Sequence, residues 1–255
     1  MFSFWRASLV TLVVGLLLSM CAMGAVKLFL HFGFEIAWAK SLAGITSALL
    51  VIILVIALEK RMSGKAFLES AKSLGFKSIA RDKWTIVLLG CIPLLAAYAV
   101  LILGMKRSPV LVPLFPMVLL KFLLSQGIGE EIVFRGFIFQ KLRAGRSFYS
   151  AAFLSAVLFS VVHLANFVHG FSMQLLVGVA ISMAFAFLLS FPMAALFEVC
   201  GSSILGLAVW HVVIDSLNFF QDLLGETSLP MVIYLSGVAL SAALMLWLCH
   251  KKLAR

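Results

Sequence analysis

Long apolar runs recur along the chain between short polar breaks, each near the 20 or so residues needed to cross about 30 Å of hydrocarbon. Eight are read, at about 7–26, 41–58, 84–104, 109–140, 148–168, 173–197, 203–221 and 230–249. Backbone groups inside lipid must be satisfied within their own segment, so each run predicts a helix. The fourth run is too long for one perpendicular helix. Its Pro109, Pro113 and Pro116 predict an irregular approach before a long or tilted helix. The expected fold is all-α, a polytopic transmembrane helical bundle of about eight spans. No repeat, linker or low-complexity tract divides the chain, so residues 1–255 are read as a single membrane-embedded domain.

Composition agrees with this pattern. Of the 255 residues, 64% are apolar and 12% charged, where a soluble domain runs at about half and a quarter. Too little polar surface exists to cover a water-soluble globule, and disorder, a disulfide scaffold and a collagen-like fibre are excluded as well. The four cysteines (Cys21, Cys91, Cys200, Cys249) lie in or beside apolar runs without metal-ligand spacing, and read as free thiols.

The net charge of +10 is explained by lipid topology and needs no nucleic acid, because the basic residues are scattered between spans. With Arg6 in the cytoplasm, the loop after the second span (Lys60, Arg61, Lys65, Lys72, Lys77, Arg81, Lys83) falls on the same side. So do Lys141, Arg143 and Arg146, and the tail with Lys251, Lys252 and Arg255. That places 14 of the 20 Lys and Arg inside. Lys27, Lys40, Lys106 and Arg107 fall outside, and Lys121 and Arg135 lie within a span. Both termini are therefore expected in the cytoplasm. Residues 1–25 resemble a signal peptide, but seven further spans favour an uncleaved first helix. Residues 60–83 read as a basic amphipathic helix lying on the cytoplasmic face as an anchor.

An ionisable residue within a span is costly and points to function. The fourth span carries Glu130, Glu131 and Arg135, the fifth His163, and the seventh His211 and Asp215. Glu131 and Arg135 stand four apart and share a helix face, so they can pair with each other. Glu130 is turned about 100° away around the axis and stays available. Counted at about 1.5 Å per residue from the cytoplasmic ends, Glu130 lies about 17 Å deep, His163 about 22 Å and His211 about 12 Å. One layer near the midplane can hold all three. Phe159, four before His163, reads as a core aromatic propping the imidazole, and His211 and Asp215 can also bond each other. His31, His169 and His250 are read as interfacial, and Glu198 as close enough to a span end to reach water.

A glutamate and a histidine facing a confined polar cavity can hold a water, with the carboxylate as general base. A second histidine with a polar neighbour can stabilise the oxyanion that forms when a peptide carbonyl is attacked. The same three side chains, Glu130, His163 and His211, also suit a zinc site with an open position for water. No HExxH or GxSG motif is present, and Gly127-Ile128-Gly129-Glu130 ends in glutamate where a GxGD aspartyl protease has aspartate.

The three strings EExxxR (Glu130, Glu131, Arg135), FxxxH (Phe159, His163) and HxxxD (His211, Asp215) together resemble the motifs of the CPBP family. These are the CAAX-protease and bacteriocin-processing enzymes, and the resemblance covers roughly residues 112–220 as a catalytic core. Gly201-Ser202-Ser203 ahead of His211 also resembles the family's small-residue lead into its last motif. It implies a glutamic-type intramembrane endopeptidase without a cofactor. Glu130 and His163 would activate water, His211 and Asp215 would form the oxyanion hole, and Glu131, Arg135 and Phe159 would support the site. Many members carry Asn at the last position; Asp215 can donate a hydrogen bond only when protonated. The expected partners are a membrane-anchored protein or peptide substrate and the bilayer. The basic tail, compact loops and signal-like start favour a multi-pass bacterial inner-membrane protein. Two readings without proteolysis compete: a bacteriocin-immunity or scaffold protein that binds a membrane peptide, and a small transporter using the buried acids as a proton relay. The latter lacks the inverted repeat such proteins carry.

Overall fold

The computed structural model describes residues 4–104, 115–216 and 229–253, and these are helical with no strand among them. Six helices are long and apolar enough to cross a bilayer: Trp5–His31, Ile36–Ser63, Arg81–Gly104, Phe148–Phe167, Met173–Val199 and Pro230–His250. They match six of the eight expected spans. In chain order, α1 (Phe4–His31) packs along α2 (Ile36–Ser63), and the short α3 (Phe67–Ser73) precedes α4 (Arg81–Gly104). Further on, α7 (Phe148–Val161) packs on α8 (Met173–Val199), while α10 (Leu229–Leu253) packs on both α4 and α8.

The fourth expected span is one helical run in several backbone forms. It starts as α5 (Phe115–Phe122), widens to i→i+5 bonding over Leu123–Glu130 and Ile132–Phe139, and closes as α6 (Gln140–Arg143). Pro116 lies in the first turn of α5, where a missing N–H removes no internal hydrogen bond; Pro109 and Pro113 lie outside the described residues. Such wide turns are uncommon and cluster at functional sites.

The seventh run is described in part. Within it Leu205–Asp215 forms a helix, α9, about 16 Å long. Residues 217–221 of the expected span lie outside the described residues. At its start the chain turns through Gly201 and Ser202, both at positive φ. Near its end the Tyr98 hydroxyl lies 2.9 Å from the Val213 carbonyl oxygen, and the Tyr234 hydroxyl donates to that of Ile214 at 3.0 Å. Those tyrosines meet carbonyls in the last described turn of α9 and tie it to α4 and α10. Along its length Trp210 Nε1 donates to Ser241, whose hydroxyl reaches the Gly90 carbonyl, tying α9 to α10 and α4.

The single amphipathic helix expected over 60–83 is not formed. Helix α2 runs to Ser63, Phe67–Ser73 forms a separate short helix, α4 begins at Arg81, and Leu74 and Ile79 turn into the core. Tertiary hydrogen bonds replace helical ones here. Gln140 Nε2 donates to the Ser73 carbonyl at 3.0 Å, the Ile204 amide to Gly75 at 3.1 Å, and the Ser203 hydroxyl to Lys77 at 2.7 Å. The Leu74 carbonyl sits so close to Gly136 that no Cβ fits between them. This strap ties the end of the EExxxR helix to the start of α9.

Candidate active site

Helix α9 reaches the EExxxR segment because Gly127 leaves room for it. A Cβ on Gly127 would stand 3.1 Å from both the Ala208 carbonyl oxygen and Val212 Cγ2. Two helices can approach to this separation only over a missing side chain, and the approach brings His211 level with the two glutamates.

Glu131 and Arg135 are fully buried and pair as the i, i+4 spacing predicts, NH1 to Oε1 at 3.2 Å. The guanidinium also donates to the Ser190 hydroxyl on α8 at 3.1 Å and stacks over the Phe159 ring, 4.4 Å from its centroid. Glu131 does more than neutralise Arg135. Its Oε1 lies 2.8 Å from His211 Nδ1, a partner that sequence spacing did not suggest. A carboxylate only accepts, so Nδ1 carries a proton and Nε2 is turned toward the remaining acids. Nε2 stands 3.7 Å from Asp215 Oδ2 and 4.0 Å from Glu130 Oε2. His211 is thus held by Glu131, while its contacts to Asp215 and Glu130 are ion-pair distances beyond hydrogen-bond reach. Within the group, Glu131 Oε2 and Arg135 Nε are buried with no hydrogen-bond partner among the described residues.

His163 sits where α7 tightens into a 3₁₀ stretch, Val162–His169. Its Nδ1 lies 3.0 Å from the Phe159 carbonyl oxygen and donates to it, which leaves the Nε2 lone pair for the cavity. Phe159 has the expected place as a prop: it meets His163 edge-on at 5.6 Å and Phe134 at 4.6 Å between centroids.

Glu130, His163, His211 and Asp215 all line one cavity of about 690 Å³. The rest of its wall is mostly apolar, including Phe122, Ile181, Phe185 and Leu189, with Gln126, Asn166 and Tyr234 as further polar groups. Sequence reading passed over these three. Asn166 had a signal, as a polar residue one turn after His163; Tyr234 had none, because only folding brings it to α9. Glu198 pairs with Arg143 at 2.6 Å and does not line the cavity. No three His, Cys, Asp or Glu among the described residues are placed to hold a metal ion.

Residues 111–217 match the family described as type II CAAX prenyl endopeptidase Rce1-like. This segment is similar to CAAX proteases. The match covers less than half of the chain, but contains all four acids and imidazoles of the cavity wall together with Glu131, Arg135 and Phe159. It also agrees with the resemblance drawn from the three motifs. The matched segment lies in a multi-pass helical membrane protein, and a membrane-embedded protease family implies a lipid environment and a membrane-associated substrate. None of the curated proteins compared matches the chain.

Proposed function

We propose that the protein is a glutamic-type intramembrane endopeptidase that hydrolyses a peptide bond in a membrane-anchored protein or peptide. The observation that carries this reading is the shared cavity, where Glu130 and His163 both present acceptors and His211 is held by Glu131. Two acceptors can hold both protons of one water and leave its lone pair aimed at a substrate carbonyl. As the water oxygen bonds the carbonyl carbon, Glu130 takes a water proton and the carbonyl π electrons become an oxyanion. His211, as imidazolium, and protonated Asp215 donate to that oxyanion. Collapse breaks the C–N bond, and the proton on Glu130 passes to the leaving amine.

The reading needs no metal. An imidazole backed by a carboxylate at Nδ1 is also the arrangement that orients metal-bound histidines, so chelation belongs in the test. The similar family's description points to prenylated CAAX substrates; the largely apolar wall supports the broader class of membrane-anchored segments. A bacterial inner membrane with both termini in the cytoplasm completes the proposal, and reporter fusions at each end check the topology.

The deciding experiment compares the N- and C-termini of membrane proteins in cells carrying wild type, Glu130→Gln and His163→Ala. New termini made only by wild type, and still made by purified protein in chelator, support the mechanism. Loss in chelator with recovery on zinc replaces it by the metal scheme. Identical profiles, with both variants rescuing a deletion phenotype, replace it by a peptide binder.

A further inference from the structure

Resting on the endopeptidase reading, we propose that Asn166 is a further catalytic residue, whose side-chain amide donates a hydrogen bond to the oxyanion. Fixed hydrogen-bond donors are scarce on the cavity wall. The Nδ1 proton of His211 is spent on Glu131, so its Nε2 donates only when the ring is cationic. Asp215 accepts when ionised and donates only when protonated. The Tyr234 hydroxyl proton goes to the Ile214 carbonyl. No fixed neutral donor remains among the four residues that sequence motifs single out.

Two side-chain amides line the cavity among the described residues, Gln126 and Asn166. Gln126 accepts at its Oε1 from the neighbouring Ser125 hydroxyl, which ties that amide to its own helix one turn before the base Glu130. Asn166 is solvent-exposed into the cavity, and its side chain makes no hydrogen bond among the described residues. Its register follows from local backbone form. In a 3₁₀ helix side chains three apart eclipse, so the tightening of α7 at Val162 puts Asn166 in line with His163. A carbonyl placed for attack by water on His163 then has the Asn166 amide on the same wall. An amide N–H donates whatever its surroundings' protonation state, which a carboxyl at 215 does not.

The probe is a quenched peptide spanning a cleavage site that wild type makes in cells and Glu130→Gln does not. Kinetics are measured in lipid nanodiscs for wild type, Asn166→Asp, Asn166→Ala, Asp215→Asn and the double variant Asn166→Asp/Asp215→Asn. Removing one oxyanion donor lowers kcat by about 10²-fold, so both Asn166 variants should lose that much while KM stays within about twofold. The double variant places an amide at position 215 instead and should recover at least about tenfold over Asn166→Asp; a merely structural asparagine gives no such rescue. The assignment is overturned if kcat is unchanged, if only KM moves, if Asn166→Asp alone loses activity (charge repulsion), or if Asp215→Asn brings no recovery. In each of those cases a Glu130-dependent cleavage leaves the endopeptidase reading standing. If no Glu130-dependent site is found, that reading fails and this assignment falls with it.

Discussion

Around Glu131 the side chains bond one another: Arg135, His211, Ser190 and the Phe159 ring form a buried group spanning three helices and the EExxxR segment. Around Glu130, one residue earlier, the side chains of His163, Asp215 and Asn166 end in a cavity. The two glutamates share a helix and differ only in which way they point. What separates them is the work each environment permits. A carboxylate with its hydrogen-bonding oxygen committed to an arginine and an imidazole fixes geometry and cannot trade protons freely. One facing open space keeps lone pairs for a reactant, and pays for that exposure by contributing little to the fold.

Exchanging a single atom tests this contrast most severely. Glu130→Gln should lower cleavage by about 10²–10⁴-fold, the usual weight of a general base, and shift the unfolding free energy by less than about 0.5 kcal/mol. Turnover and thermal unfolding of the same detergent-solubilised sample read both. A large stability loss would dissolve the distinction between the two regions. Next in size, Arg135→Ala strands a buried carboxylate and should destabilise by about 3–5 kcal/mol, seen as an early unfolding transition even in substrate-free protein. If stability barely moves, the group around Glu131 is not the scaffold described above.

Smaller changes sharpen the comparison at its edges. Gly136→Ala drives a methyl into the Leu74 carbonyl, and overpacking of this kind costs about 1–3 kcal/mol. Proteolysis between α2 and α4 should quicken, reporting a strap lifted from the EExxxR helix. Smallest is Tyr234→Phe, which removes one of the two tyrosine hydroxyls at the Ile214 carbonyl and should cost about 0.5–1.5 kcal/mol. Amide exchange at the end of α9 is the place to look for it, before any change in turnover.

Much of the bundle was legible in the chain because the length of an apolar run is a local property and lipid admits few other answers. The Glu131–Arg135 pair was legible for a similar reason, since both residues lie on one helix face. The strap over 60–83 was misread because its amphipathic pattern does not say whether the apolar side meets lipid or protein; Leu74 and Ile79 meet protein. Of the seventh span Leu205–Asp215 is a helix, and nothing local announces that Tyr98 and Tyr234 bond the carbonyls of its last turn.

Sequence alone therefore determined a helical membrane protein, its six long spans, and the acids and imidazoles gathered in three motifs. Tertiary structure decided that Glu131 holds His211, that Asn166 and Tyr234 join the cavity wall, and that Tyr98 and Tyr234 meet the last turn of α9. The physical reason is one of range. Hydrophobicity and i, i+4 spacing act within a helix and are written in consecutive residues. The distance between helices is set where backbones meet, as at Gly127 and Ala208, and no period along the chain encodes that meeting.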